Sequence, residues 1–341
     1  MYVIPRPRIA DDPLYAVRLA AAGTLAYAAV PLINPTLPPV IAALPVGLIA
    51  AQRMAFAPVK ALAGPIAFAV IVWLVAWLVD QLRPMPLVYV TAMGLAYFAG
   101  FRMILASGAP SGMLLIVVTV LLSVMGMSSS AALESMREAF TQAAVLTLLL
   151  IPALFALLPP RSRQRFVEDP VPGTGRVGVG AAIRAGALLL LSFWLYAVME
   201  PSNMMMAVVA AMVLAFPTRR AVFSEAVQRI RATCYGGGAA LAALALFTLS
   251  PHLPVLLALI FLGGLFFGSR MFAGPQPSMV YQYAFTVMLA LIAGALSTQD
   301  PAYATFTRIV LTLIGALVAT LLIALLDALT GWRERPTGAS R

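Results

Sequence analysis

The chain has 341 residues, of which 62% are apolar and 10% are charged. Because ordinary soluble domains carry about 25% charged residues, this composition excludes a soluble domain and indicates an integral membrane protein. The net charge of +10 does not require nucleic-acid binding, since the cytoplasmic loops of membrane proteins also collect Lys and Arg. The single cysteine, Cys234, excludes an internal disulfide and a cysteine-based metal cluster.

Apolar runs long enough to cross a bilayer as helices, about 20 residues each, recur along the whole chain. They predict an all-α integral membrane protein with about twelve transmembrane helices. In chain order the predicted spans are 14–33, 36–52, 60–79, 85–103, 112–131, 140–158, 181–199, 202–216, 233–250, 253–271, 278–297 and 307–329.

The second and eighth spans are short, and 36–52 also contains Pro38, Pro39 and Pro45. Short or proline-interrupted spans at equivalent places in two halves of a chain are typical of a transport site. The alternative is an ordinary helix kinked by proline, which membrane proteins tolerate.

Basic residues orient the predicted spans. If the N-terminus is cytoplasmic, all of the 22 basic residues except Arg83, Arg137 and Arg308 fall on the cytoplasmic side. This bias is the one that positive loops impose during membrane insertion. It predicts a multi-pass membrane protein with both termini cytoplasmic. No cleavage site follows the first apolar stretch, so we expect the first span to remain as an anchor.

Two stretches of the sequence repeat each other. Met85–Met103 and Leu253–Met271 match at Pro86/Pro254, Phe98/Phe266, Gly100/Gly268, Arg102/Arg270 and Met103/Met271. Outside them, Arg18 pairs with Arg184, Asn34-Pro35-Thr36 with Glu200-Pro201-Ser202, and Phe140-Thr141 with Phe306-Thr307. An even number of spans per copy predicts two parallel six-helix repeats. The expected organisation is a first repeat at 1–158, a cytoplasmic linker at 159–180, a second repeat at 181–330 and a cytoplasmic tail at 331–341.

Arginines related by the repeat are the first candidates for binding a substrate. Arg102 and Arg270 each end a span, and together they could attract a carboxylate by charge and by paired hydrogen bonds. Arg18 and Arg184 lie at least one turn inside their spans, where a buried charge is costly and often functional. The alternative for all four is anchoring at the lipid headgroups.

Polar groups near Asn34 and Glu200 are the second set of candidates. We predict that Asn34 contacts substrate and that Glu200, at the equivalent place, carries a coupled proton, because a carboxylate in a cleft of low dielectric can bind one. An exposed loop acid is the alternative. Aromatic residues, including Tyr89 and Tyr97, could line a pocket or simply pack.

Signals for an enzyme are weak. No P-loop sequence is present, and His252, the single histidine, lies in a predicted outer loop far from Ser111 in the sequence. We therefore expect no catalytic residue, no metal and no cofactor.

The second half of the chain resembles the fusaric acid resistance family, which includes aromatic carboxylic acid exporters. TRRAVFSEAVQRIRATCYGGG at 218–238 resembles that family's cytoplasmic turn. TRIVLTLIGALVATLLIALL at 307–326 is similar to its closing helix, with Arg308, Thr312 and Gly315 in matching places. The resemblance covers about 181–330 and is fainter over 14–158, where Gln142 stands in place of Arg308.

The resemblance implies a secondary-active, proton-coupled exporter of small aromatic or hydrophobic organic anions in the inner membrane. It also implies that a periplasmic adaptor of the membrane-fusion type accompanies the pump. The chain departs from the longer members because it lacks a large cytoplasmic domain between its halves. A passive, channel-like anion conduit and a non-transporting membrane scaffold for an adaptor are the other two hypotheses.

Overall fold

The computed structural model describes residues 12–33, 46–47, 56, 58–107, 110–160, 177–198 and 219–297, together with separate residues between 306 and 325. Every regular element in these segments is an α-helix. The helices are α1 (Tyr15–Ile33), α2 (Pro58–Leu82), α3 (Pro86–Ser107), α4 (Pro110–Ser128), α5 (Ser130–Leu157), α6 (Val177–Val198), α7 (Arg219–Leu249), α8 (Leu253–Ala273) and α9 (Ser278–Ser297).

Proline and serine mark where several of these helices begin. Pro58, Pro86 and Pro110 are the first residues of α2, α3 and α4, a position where the missing N–H costs no hydrogen bond. Ser129 caps α5, because its Oγ accepts a hydrogen bond from the backbone N–H of Ala132 at 3.0 Å. The turns between α2 and α3 and between α4 and α5 are therefore short, and they hold consecutive helices close together.

Eight helices in the described part of the chain are long and apolar enough to cross a membrane: α2 to α9 all contain such a segment. The apolar part of α1, Tyr15–Val30, is shorter. The predicted spans at 36–52 and 202–216 lie almost entirely outside the described residues. Of the span at 307–329, separate described residues such as Leu321 are helical.

Two helices begin well before the apolar runs that predicted them. α5 begins at Ser130 instead of 140, and α7 begins at Arg219 instead of 233. The added turns contain Ala together with Glu, Arg and Gln, which are good helix formers although these last three are not apolar. An apolar run marks the part of a helix that can lie in lipid, so it does not mark the start of the helix.

Large apolar side chains cover much of the outer surface. Leu87 is 84% exposed, Trp77 is 60% exposed and Leu149 is 66% exposed. A soluble monomer rarely exposes apolar patches of this extent, whereas hydrocarbon chains of lipid would cover them. The exposed surface therefore agrees with the composition.

Helices that are distant in sequence pack side by side. α1 packs against α8, and α3 packs against α6. α7 packs along α9, α2 packs on α4 and α5, and the pairs α3–α4 and α8–α9 are also in contact. The largest buried apolar cluster joins α1, α5, α7, α8 and α9.

The contact between α1 and α8 is close because small residues meet there. A Cβ atom on Gly264 would lie 2.6 Å from Ala20 Cα, and one on Gly268 would lie 2.9 Å from Ala16 Cα. Two glycines four residues apart against two alanines four residues apart let the helix backbones touch. A similar close approach occurs at Gly236 of α7, where an added Cβ would meet a backbone oxygen of α9.

Candidate functional site

Arg102 lies on an exposed face of α3. Its side chain shares that face with Phe98, one helical turn earlier, and with Met103. A groove of about 570 Å³ runs along this face and is lined by Leu95, Phe98, Ala99, Arg102, Met103, Ala106 and Ser107. No carboxylate among the described residues pairs with Arg102, so its guanidinium is available to an anion.

Arg270 has a matching position on α8. Its guanidinium carbon lies 5.5 Å from the ring centroid of Phe266, which precedes it by four residues and is 53% exposed. Such a cation–π contact holds an arginine against an aromatic face. Arg270 is also exposed and has no ion-pair partner in the described segments. Each face therefore offers one phenylalanine and one accessible positive charge.

Arg18 has a different environment, because it is fully buried at the start of α1. Its Nη2 forms an ion pair with the Asp12 carboxylate, and its Nη1 donates a hydrogen bond of 2.9 Å to the backbone oxygen of Leu158. The guanidinium also lies 4.6 Å from the ring centroid of Phe155. Arg18 thus joins α1 to the C-terminal end of α5, where the helix dipole favours a positive charge.

The other predicted site residues do not gather with these. Arg184 is fully buried in α6 and donates a hydrogen bond of 3.2 Å to the backbone oxygen of Gly180. Asn34 and Glu200 lie outside the described residues. The structure therefore places Arg102 and Arg270 on open helix faces and Arg18 and Arg184 in packed interiors, and the substrate-binding role of each stays a prediction.

A buried cluster of hydroxyl groups joins α3, α4 and α6. The Tyr97 hydroxyl lies 3.3 Å from Ser123 Oγ on α4 and 3.3 Å from Ser192 Oγ on α6. Tyr89 donates a hydrogen bond of 2.7 Å to the backbone oxygen of Ser123. Thr119 Oγ1, one turn before Ser123, is buried and has no hydrogen-bond partner in the described part of the chain. These polar atoms lie in helices long enough to span a membrane.

No pattern in the sequence predicts this cluster. Tyr89 and Tyr97 were expected either to line a pocket or to pack, and both pack, with 2% and 0% of their surface exposed. Their helical spacing from Met93 places them on one face of α3, opposite the face of Arg102. The serines could not be assigned to them, because Ser192 belongs to a helix distant in sequence.

The described residues contain no group of three or more His, Cys, Asp or Glu side chains that could hold a metal ion. What the described parts offer to a ligand is positive charge beside aromatic rings on α3 and α8. An aromatic or apolar anion would suit such surfaces, because its ring can lie on phenylalanine while its charge pairs with arginine.

The apolar helices and the composition define a multi-pass membrane protein. Residues 190–322 match the model of a family described as fusaric acid resistance protein-like. The match confirms the family resemblance predicted from the sequence and suggests a membrane transporter of the resistance type, with efflux as its activity. No curated protein and no solved structure matches the chain significantly.

Proposed function

We propose that this protein is a secondary-active exporter of small aromatic or hydrophobic organic anions in the bacterial inner membrane, built from two parallel six-helix repeats. The family match supports transport. The pairing of Phe98 with Arg102 and of Phe266 with Arg270 on exposed helix faces supports the substrate class and is the observation on which the proposal depends.

Helix contacts support the repeat layout. The sequence repeat makes α1 equivalent to α6, α2 to α7, α3 to α8 and α4 to α9. The contact of α1 with α8 then has its counterpart in the contact of α6 with α3. Likewise α2–α4 corresponds to α7–α9, and α3–α4 corresponds to α8–α9. Each half thus packs its first helix against the fourth span of the other half, as expected of two copies related by an axis along the membrane normal.

Arg102 and Arg270 are, in this proposal, the charges that attract the substrate carboxylate. Both belong to the predicted cytoplasmic ends of their helices, where an exported anion would enter. Each guanidinium can donate two hydrogen bonds to one carboxylate. Arg18 and Arg184 are proposed to add positive charge along the path, and Asn34 to contact the substrate.

Proton coupling is assigned to Glu200. A carboxylate that alternates between water and a cleft of low dielectric can bind and release a proton during the cycle. A periplasmic adaptor of the membrane-fusion type is the proposed partner, and the bilayer itself surrounds the helices. The proposed orientation places both termini in the cytoplasm, as the distribution of basic residues predicts.

Transport by purified protein in lipid vesicles tests the proposal. We expect labelled benzoate to accumulate only when a proton gradient is imposed. Arg102→Gln and Arg270→Gln should each lower the initial rate about tenfold, the size expected for loss of a charge-assisted hydrogen bond, and the double variant should abolish accumulation.

Arg83→Gln is the matched control, since Arg83 is an exposed arginine in the turn before α3, at the opposite end of that helix from Arg102. This variant should keep the native rate. Anion current without a proton gradient would show that the protein is a channel-like conduit and not an exporter. Unchanged flux in the double variant would reduce Arg102 and Arg270 to lipid anchors, and the absence of any flux would favour the scaffold.

A further inference from the structure

The hydroxyl cluster around Tyr97 contains more hydrogen-bond contacts than protons. Besides its contact with Tyr97, each serine also lies near a carbonyl of its own helix: Ser123 Oγ is 3.2 Å from Val120 O, and Ser192 Oγ is 2.8 Å from Leu188 O. Together with the two contacts of Tyr97, four contacts require four protons. Three hydroxyl groups supply three. One contact therefore always lacks a proton.

The distances indicate which contacts compete. At 2.8 Å the bond from Ser192 to Leu188 has the usual length for a hydroxyl donor, so Ser192 uses its proton there. Ser192 can then only accept from Tyr97. Because Tyr97 has one O–H group, it is bonded to Ser192 on α6 only when it does not donate to Ser123 on α4. The single proton of Tyr97 decides whether α3 is bonded to α6.

Bulk water cannot relieve this competition. Tyr97 has no exposed surface, and Ser123 and Ser192 are each 3% exposed. In such surroundings a hydrogen bond is stronger and its loss costs more than in water. The two positions of the Tyr97 proton are therefore distinct. When Tyr97 donates to Ser192, Ser123 can donate to Tyr97, so α3 is linked to both α4 and α6; when Tyr97 donates to Ser123, α3 is linked to α4 alone.

We propose that Tyr97 is a two-position hydrogen-bond donor that sets how tightly α6 is held against α3. In one position it bonds α6 through Ser192, and in the other it bonds α4 through Ser123 and leaves α6 free to shift. Tyr97 is thus a positioning residue for movement of α6. Its part in transport rests on the proposed function, whereas the switch itself does not.

The corresponding contact between α1 and α8 is built from different residues. There the backbones touch through Gly264 and Gly268, and the residues that match Tyr89 and Tyr97 in the repeat are Leu257 and Leu265. One polar contact is described there, from the Tyr15 hydroxyl of α1 to Met271 Sδ of α8 at 3.8 Å. The α1–α8 and α3–α6 contacts therefore differ in their chemistry.

Disulfide trapping between α3 and α6 measures the switch directly. In a Cys234→Ser background, Gly94→Cys and Leu189→Cys place two thiols at a point of contact, because a Cβ on Gly94 would lie 3.2 Å from Leu189 Cδ2. The rate of cross-linking by a mild oxidant is followed in membranes without substrate. Membranes that contain the double-cysteine protein without any further substitution give the reference rate.

Removing Ser123 and removing Ser192 should change the cross-linking rate in opposite directions. Ser123→Ala leaves Ser192 as the sole acceptor, so the cross-linking rate should rise by up to about twofold, because two near-equal positions become one. Ser192→Ala should lower it about fivefold, the size expected for loss of one hydrogen bond. Tyr97→Phe should lower it similarly. Ser128→Ala, which removes an exposed hydroxyl on α4, should leave the rate unchanged.

The switch would be overturned if Ser123→Ala and Ser192→Ala changed the cross-linking rate in the same direction, or if neither changed it. A loss of packing alone would move both variants in the same direction, so a folding defect cannot imitate the expected result. The outcome is also separate from that of the flux measurements. A protein that moves no aromatic acid would end the proposed function, and the cross-linking rates would still report on Tyr97.

Discussion

At the scale of single residues, the clearest constraint is the buried pair of Asp12 and Arg18. Asp12→Asn removes the negative partner and leaves the Arg18 charge buried, which typically costs 3 to 5 kcal/mol, as an order of magnitude. We expect Asp12→Asn to lower the midpoint of thermal unfolding in detergent by several degrees. The midpoint can be followed by the loss of the monodisperse peak on gel filtration.

The control for this prediction removes both charges together. The double variant Asp12→Leu with Arg18→Met should recover most of the lost stability, because an apolar pair often replaces a buried ion pair without net cost. If Asp12→Asn unfolds at the native midpoint, the ion pair contributes nothing to stability. In that case Arg18 would be available for the substrate path instead.

The burial of Arg18 could be predicted from the sequence, whereas its ion pair with Asp12 could not, for a physical reason. The repeat singled out Arg18 as a charge inside a span, and the structure shows it buried. The sequence around its partner is typical of a helix cap instead, because Asp12 precedes Pro13 at the start of a helix. The spacing of Asp12 and Arg18 is not that of neighbours on one helix face. The ion pair depends on how the chain enters α1.

At the scale of helices, the small residues of α8 control its approach to α1. Gly264→Ala would place a Cβ atom 2.6 Å from Ala20 Cα, so the two backbones would have to separate. Overpacking of this kind typically costs about 1 to 3 kcal/mol. We expect the variant to lower the unfolding midpoint, and Gly264→Leu to lower it further.

A glycine of α7 provides the control for Gly264. A Cβ on Gly238 would meet no atom within 4 Å, so Gly238→Ala should keep or slightly raise stability, by up to about 1 kcal/mol, because alanine favours a helix over glycine. Equal destabilisation by Gly238→Ala and Gly264→Ala would show that helix propensity matters more here than the contact with α1.

Helices were easier to predict than their ends or their partners. A run of apolar residues is a local property, and it located every described helix. The start of α7 at Arg219 was missed, because charged and apolar residues are mixed over 219–231, so this part of the helix contains no continuous apolar run. The contact of Gly264 with Ala20 joins residues that are far apart in sequence, and no local pattern encodes it.

At the scale of the whole molecule, the sequence repeat predicted more of the structure than any other single pattern in the sequence. It paired Arg102 with Arg270, and both lie on exposed faces beside phenylalanine. It could not show that the α1–α8 and α3–α6 contacts differ, since that difference arises from residues that do not match, such as Tyr97 and Leu265. Residues that match between the two copies show the organisation that the halves share, and residues that do not match show where the halves differ.

The number of spans decides how the halves are oriented, and cysteine labelling can count them. Ser129 and His252 follow α4 and α7, and α5, α6 and α7 lie between them. With a further span at 202–216, four crossings separate the two residues and both face the periplasm. Without it, three crossings place them on opposite sides of the membrane.

We expect single cysteines at Ser129 and at His252, each in a Cys234→Ser background, to react with a membrane-impermeant maleimide added outside spheroplasts. A cysteine at Ser162, one crossing after Ser129, should react only after the membrane is permeabilised. Reaction at only one of the two positions Ser129 and His252 would show that residues 202–216 do not cross the membrane. The helices after α6 would then run opposite to their counterparts in the first half, so Arg102 and Arg270 would face opposite sides of the membrane and could not bind the same carboxylate.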